Sequence, residues 1–418
     1  MYINNIIMQK KIKPSIFCYI FLFINLFMGT YAFSEPLEIK AWANFETKEK
    51  FIVDNYNEKL LGNSTGIKIK KKYRDLKSSV SLNFTSRDKI QYDHSYLEFN
   101  SNRLVIGIGK INKNWSFSPN SSLILSKNAR PYKTVYFNIK DSNFSDRSSL
   151  YLSVPWEFEV FNAVLSNSAG PKHTLLFGMR TIIKPTNNFK IELLKTSQWG
   201  GEGYRENLSS FKTAIIGNSN ENEHANINQL AGFGLSYLIN KNKTPFRLYA
   251  QFVGEDEAGN LPSCYMQLYG TEINLNENKY IKKIGIEYID TRIEKTKNGF
   301  CGPNTAYNNS IYKYTNYDDT LGHPVDTEGR FLSISSSVKI SQNTIVDFSI
   351  ENILVNDASY SNHRLSKSQE KGWGSSLGVN IKLNPISVYS RISYQGFSLD
   401  KANKNKGLSF NLNITRSF

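Results

Sequence analysis

The final stretch of the chain, residues 408–418, constrains the fold more than any other. Leu408, Phe410, Leu412, Ile414 and Phe418 recur at every second position and share one face, interrupted only by Arg416. Ser409, Asn411, Asn413, Thr415 and Ser417 make up the other face. Side chains of a strand alternate between its faces, so this is a strand with one apolar and one polar side. The alternation returns at 373–383, at 246–252 and at 231–239, where Ala231, Phe233, Leu235, Tyr237 and Ile239 oppose Gly232, Gly234 and Ser236. Lipid outside and water inside is the setting that asks for this pattern. A soluble sandwich alternates too, but gives no reason for a terminal strand ending on Phe, nor for 24 Tyr and 26 Phe with so many near strand ends.

The start of the chain reads differently. Lys10, Lys11 and Lys13 precede an apolar run at 16–28, and small residues follow at Thr30, Ala32 and Ser34. Residues 1–34 are therefore expected to be a signal peptide, cleaved after Ala32 or Ser34. The run is shorter than the ~20 residues of a spanning helix. No later stretch is apolar for long enough to cross a membrane as a helix. What remains, 35–418, is expected to be one domain: an all-β, transmembrane antiparallel outer-membrane β-barrel with long extracellular loops partly closing its lumen. Export leaves a disulfide between Cys264 and Cys301 chemically allowed without requiring it.

Connections alternate in length. Short ones at 240–243, 341–343 and 384–385 interleave with long ones at 196–228, 290–328 and 355–372. Barrels of this kind keep short turns on the periplasmic side and long loops outside. Counting back from a periplasmic C-terminus predicts about 18 strands, with 16 as the runner-up, because bacterial barrels close on even numbers. By parity Arg180, Arg247, Lys283, Lys382 and Arg391 face the lumen, against Glu287, Asp347 and Glu351. The formal charge is +15, and loss of three leader lysines lowers it to +12. Positive charge in an enclosed space either attracts polyanions or is absorbed by internal ion pairs.

Several stretches carry candidate chemistry. At 254–263, GEDEAGNLPS sets Glu255, Asp256 and Glu257 in a row within a basic protein, with Asn260 beyond them. Crowded carboxylates repel unless water, a cation or basic groups compensate them, so this is an acidic turn, solvated or binding. Calcium would suit its oxygens. At 198–205, QWGGEGYR opens a long loop. Glycines beside Trp199 leave one indole face free to stack on a sugar, with Glu202 and Arg205 to bond hydroxyls or carboxylates; the alternative is an interface Trp in a flexible loop. Residues 122–131 have an apolar centre suited to folding back into the barrel. The five histidines show no ligand spacing. Gly107-Ile108-Gly109-Lys110 lies within an alternating strand and lacks phosphate-loop spacing. Glu255 and Glu257 have no visible partner for glycosidase chemistry.

In order along the chain, SLILSKNARP (122–131), QWGGEG (198–203), NQLAGF (228–233), GEDEAGNLPS (254–263) and EYIDT (287–291) resemble the capsule-assembly Wzi family of outer-membrane proteins. The resemblance implies an outer-membrane lectin that holds capsular polysaccharide at the cell surface. The sequence departs from the family at Tyr204-Arg205, where Arg-Pro would follow the tryptophan motif. Before Gly66 it is too short for the periplasmic helical bundle of longer members, so contacts made by that bundle are not carried over.

The expected polysaccharide-binding set is Arg130, Gln198, Trp199, Glu202, Arg205, Glu255, Asp256, Glu257, Asn260 and Asp290. No catalytic residue and no cofactor are expected, and a metal at the acidic turn is left open. Expected partners are capsular or other acidic surface polysaccharide, outer-membrane lipid and the barrel-insertion machinery, with no nucleic acid. An outer-membrane porin or polysaccharide channel is the alternative function, and an outer-membrane enzyme a second rival.

Overall fold

The computed structural model describes residues 37–51, 62–85, 90–142, 154–216, 226–241, 244–258, 261–275, 281–297 and 301–418. The signal peptide expected at 1–34 and the candidate Asn260 lie outside them. The first strands are β1 (Glu38–Glu46), β2 (Ser64–Tyr73), β3 (Leu76–Thr85), β4 (Tyr96–Asn100), β5 (Leu104–Ile111), β6 (Tyr132–Asp141) and β7 (Trp156–Val164). There follow β8 (Leu175–Ile183), β9 (Phe189–Trp199), β10 (Asn228–Lys241), β11 (Thr244–Ala258), β12 (Leu261–Asn274) and β13 (Ile281–Asp290). After a small hairpin of β14 (Thr315–Asn316) and β15 (Asp319–Thr320) come β16 (Arg330–Lys339), β17 (Thr344–Val355), β18 (Glu370–Leu383), β19 (Ile386–Gln395) and β20 (Gly407–Ser417). Among the described residues one helix, α1 (Leu208–Ile216), lies between β9 and β10.

Apart from the hairpin, the strands form one antiparallel sheet of 18, each paired with its neighbours in the chain. The sheet closes where β1 meets β20, in register from Lys40–Ser417 to Glu46–Asn411. The N–H of Phe418 adds a bond to the carbonyl of Ile39 at 2.9 Å. Closure leaves no sheet edge, which a barrel surrounded by lipid requires because no water is there to pair an open edge.

The alternation in the sequence sorts side chains across the wall. On β11, Leu248 is 42% exposed outside, while Tyr249 and Gln251 are buried inside. On β20, Leu408, Phe410 and Ile414 are exposed and Ser409 is buried. Apolar outside and polar inside inverts the pattern of a water-soluble sheet and fits a barrel in a bilayer. The inward charges largely pair among themselves. Arg180 meets Glu192 at 2.5 Å, Arg247 lies 3.3 Å from Glu272, and Lys283 bonds the same glutamate.

Two boundaries differ from expectation. The acidic stretch is not a free-standing turn: β11 and β12 stay in register from Gly254–Tyr265 to Ala258–Leu261. At ~3.4 Å per residue the 15 residues of β11 reach about 50 Å, whereas roughly 9–11 residues cross a bilayer. The surplus stands above the membrane as part of the extracellular wall. The long loop after β9 also begins later than expected, because Gln198 still pairs with Asn228.

Candidate functional site

The extracellular mouth is filled by two connections, described over residues 112–131 and over 291–297 and 301–329. Trp115, Leu123, Ile124, Leu125, Tyr307, Tyr314, Leu321 and Val325 are fully or almost fully buried and share one apolar core. Burying a large apolar side chain contributes about 1.5–3 kcal/mol, which anchors the segments. Polar bonds then set their register. Tyr307 and Tyr314, stacked at 5.7 Å, donate their hydroxyls to the carbonyls of Leu123 and Ile124. Ser126 donates through its N–H to Leu321 at 2.8 Å.

The wall holds this plug through several strands. Gln251 accepts from the N–H of Leu123 and donates to the carbonyl of Trp115. Trp115 Nε1 donates to Glu159 at 3.0 Å, and the Ser118 hydroxyl bonds Glu287. Cys264 of β12 is disulfide-bonded to Cys301, with Cα atoms 5.4 Å apart, so the pairing that the sequence only allowed is formed. The segment 122–131 folds back into the barrel with its apolar centre buried, as expected from its sequence, whereas the plug residues of 301–329 went unrecognised. Their signal is the tyrosine-rich run at 307–314, whose rings fill the core while the hydroxyls find carbonyls.

The expected binding residues occupy three kinds of place. Some serve the plug. Arg130 bonds Asp93 at 3.1 Å and lies 4.1 Å from the Tyr317 ring. Gln198, wholly buried, donates to the Lys313 carbonyl and accepts from Asn228. Glu255 accepts from the N–H of Tyr307 at 3.1 Å. Asp256 and Glu257 continue β11, and their side chains lie outside the described set.

Trp199 belongs to a second place. Its indole is 6% exposed and packs 5.3 Å from Phe211 of α1, which also meets Phe177. The free ring face expected from the neighbouring glycines is therefore corrected: Phe211 of α1 covers it. Asn207 caps that helix, accepting from the Ser210 N–H while its own N–H donates to the Ser210 hydroxyl. The Ser197 hydroxyl donates to the Ala214 carbonyl and seats the helix on β9. Gly200, Gly201 and Gly203 have φ of 62°, 89° and 89°, a left-handed path that explains their residue type.

Beyond those glycines the chain reaches the surface. Glu202 is exposed and 3.8 Å from Lys172, an exposed pair worth little energetically. Arg205 is exposed as well. Across the mouth, Arg292 bridges Asp290 at 2.7 Å and Asp357 at 2.9 Å. The Arg292 guanidinium holds the Asp357 carboxyl below its ordinary value, and Asp290 and Asp357 in turn raise the arginine. Sequence inspection named Asp290 but missed Arg292 and Asp357, which come from different connections. Among the described residues no three His, Cys, Asp or Glu side chains converge to hold a metal ion.

Comparison with known proteins places this architecture. The barrel resembles Wzi of Escherichia coli, an outer membrane protein involved in group 1 capsule assembly and a carbohydrate-binding β-barrel. The TM-score is 0.77 at 19% identity, covering 91% of this chain and 84% of that one. The outer membrane protein OprD of Pseudomonas aeruginosa superposes with a TM-score of 0.51 at 9% identity, over 91% and 94% of the two chains. Both likenesses are of fold. An uncharacterized 55.8 kDa protein in the cps region of Klebsiella pneumoniae is 28% identical over 191 residues, 45% of this chain and 38% of that protein. The match thus spans about two fifths of that relative's length. Residues 39–407 match the family described as capsule assembly protein Wzi. That match runs from the first strand of the barrel to the start of the last, and the chain belongs to the capsule assembly protein Wzi family.

Proposed function

We propose that the protein is an outer-membrane lectin that binds an acidic capsular or related surface polysaccharide and holds it at the cell surface without chemical turnover. The plug is the observation that carries this. Residues 112–131 and 291–329 bond to each other and to the wall, so the mouth offers a polar face where a diffusion channel would offer an opening. E. coli Wzi, of the same fold, binds carbohydrate, which supports the same ligand class here.

On this face the contacts fall to the exposed Glu202 and Arg205, to half-buried Tyr204, and to the Asp290–Arg292–Asp357 group. Glu255, Gln198 and Arg130 act behind them by fixing the plug. The net positive charge draws an acidic chain from a distance, over a range that salt shortens. The apolar outer band supports a setting among lipid, and the terminal Phe418 strand is the part the insertion machinery would meet.

The test is a titration of the refolded barrel with acidic and neutral polysaccharides. Salt-sensitive binding of the acidic polymer without new reducing ends is the expected result. Binding of neither polymer, or release of reducing ends, overturns the proposal. Steady conductance steps in planar bilayers would instead favour a channel.

A further inference from the structure

Helix α1 lies on the outer face of the barrel, and strand parity fixes that placement. On β9, Glu192, Thr196 and Gln198 point inward, to Arg180, the Tyr314 hydroxyl and the Lys313 carbonyl. The alternate positions Leu193, Lys195, Ser197 and Trp199 therefore point outward, and Leu193 is 53% exposed there. The helix packs on this outward row. Phe211 meets Trp199 and also Phe177, which shares the outer face because it pairs with Ser197 across the strands. The Ser197 hydroxyl donates to the Ala214 carbonyl, and Lys195 Nζ donates to the Ile215 carbonyl at 3.0 Å. From Phe211 to Ile215 the contacts step from Trp199 to Lys195, so the C-terminal end of α1 is the end nearer Leu193 and the bilayer.

The apolar stripe of α1 is wider than the wall it covers. Leu208, Phe211 and Ile215 follow the i, i+3, i+7 spacing of one helical flank, and Ile216 extends it at the C-terminal end. The wall takes Phe211 and Ala214. Leu208 and Ile216 stay 83% and 62% exposed, and Ile215 is exposed beside them. Ser209, Ser210 and Thr213 occupy the opposite flank. In the sequence that follows, 217–225 reads GNSNENEHA and brings no large apolar side chain to cover the stripe. The helix holds no acid, and its one charged residue, Lys212, stands at the edge of the stripe four positions on from Leu208.

We infer that α1 is an interfacial helix, whose Leu208, Ile215 and Ile216 flank rests in the acyl chains of the outer leaflet beside the barrel. Continuity selects this occupant: the uncovered stripe approaches Leu193, which belongs to the apolar band that faces lipid. Contiguous exposed apolar side chains mark a docking surface, and here the neighbouring surface is already one that a bilayer covers. Helices of this kind sink an apolar flank about 5–10 Å into the boundary of head groups and acyl chains. Lys212 extends its ammonium from the edge of the stripe to head-group level. Trp199 and Phe177, beneath the helix, then join the extracellular loop to the membrane surface. The inference rests on the outer-membrane setting and not on the ligand proposed for the mouth.

Nitroxide labels on the full chain report the depth. With Cys18→Ser in place and Cys264 bonded to Cys301, each added cysteine is the one free thiol. Ile216→Cys, Leu208→Cys and Ser209→Cys are labelled and reconstituted into vesicles of phosphatidylcholine and diphosphoryl lipid A. Leu193→Cys on the lipid face and Lys367→Cys in an exposed connection serve as references. Expected is a ratio of oxygen to nickel accessibility at Ile216 that matches Leu193 and lies about fivefold above Ser209, with Leu208 between the two. A ratio at Ile216 equal to that at Lys367 puts the flank in water and overturns the inference. Dipolar broadening between labels on two copies shows that a second chain covers the flank, and overturns it as well. Each variant is first shown to be heat-modifiable on gels; should Ile216→Cys fail, Ile215→Cys takes its place with the same expected ratio. Either failure leaves polysaccharide binding at the mouth standing.

Discussion

Gln251 and Trp115 are joined across the barrel mouth: the buried amide donates to the Trp115 carbonyl at 2.7 Å. The other end of the same amide accepts from the Leu123 N–H at 2.8 Å, so one side chain of β11 holds the inserted segment at two points. Replacing it with Leu leaves the buried Leu123 N–H without its partner, at roughly 1–3 kcal/mol, and leaves the Trp115 carbonyl with the Ser122 hydroxyl alone of its two donors. Gln251→Leu is expected to loosen the plug while the barrel stays closed. Faster amide exchange across 112–131 and new conductance steps in planar bilayers would record it. Unchanged exchange would show that the apolar core alone holds the segment.

The Cys264–Cys301 bridge ties β12 to the largest connection over a separation of 37 residues. Closing a loop of that length removes unfolded-state entropy worth about 4 kcal/mol. Cys301→Ser, or reduction of the wild type, is expected to lower the thermal midpoint of the plug and open residues 291–329 to protease. The strands of the barrel should stay uncut.

His323 gives the plug a pH dependence. The ring is fully buried 5.3 Å from Phe331, and burial lowers its pKa from 6.5 to about 3. The unfolded chain takes up a proton below pH 6.5 while the folded one stays neutral. Stability is therefore full above 6.5 and is lost as pH falls toward 3, at up to ~1.4 kcal/mol per pH unit. Opening of the plug, read as amide exchange corrected for the intrinsic rate at each pH, should increase between pH 7 and 4.5. In His323→Asn, whose side-chain oxygen can still accept from the Val325 N–H, that contribution to the slope should vanish.

The strands were legible because lipid outside and water inside impose a period of 2 on every crossing, and parity then yields facing, count and orientation. The stretch Gly254–Ala258 misled because glycine and carboxylates suit turns, yet β12 supplies backbone partners all the way to Leu261. The plug left a weak trace, since Tyr307, Tyr312 and Tyr314 pack without helical or strand periodicity and find carbonyls far away in the chain. Helix α1 had a readable start in Asn207 and Ser210. What the sequence could not show was that its Phe211 would close over Trp199.

That contact makes Trp199 a support for the loop proposed to bind, with its own ring covered. Its ring and Phe177 seat α1, and the glycine path from Gly200 carries Glu202 and Arg205 out from the same point. Trp199→Ala removes the largest side chain beneath the helix, a loss of roughly 3–5 kcal/mol for a well-packed aromatic. Amide exchange in α1 should rise and polysaccharide affinity fall severalfold, because the loop loses its fixed exit. Trp199→Phe keeps much of the packing and should restore both. If Trp199→Phe seats the helix yet binds as weakly as Trp199→Ala, the indole itself touches the sugar and α1 must lift to expose it.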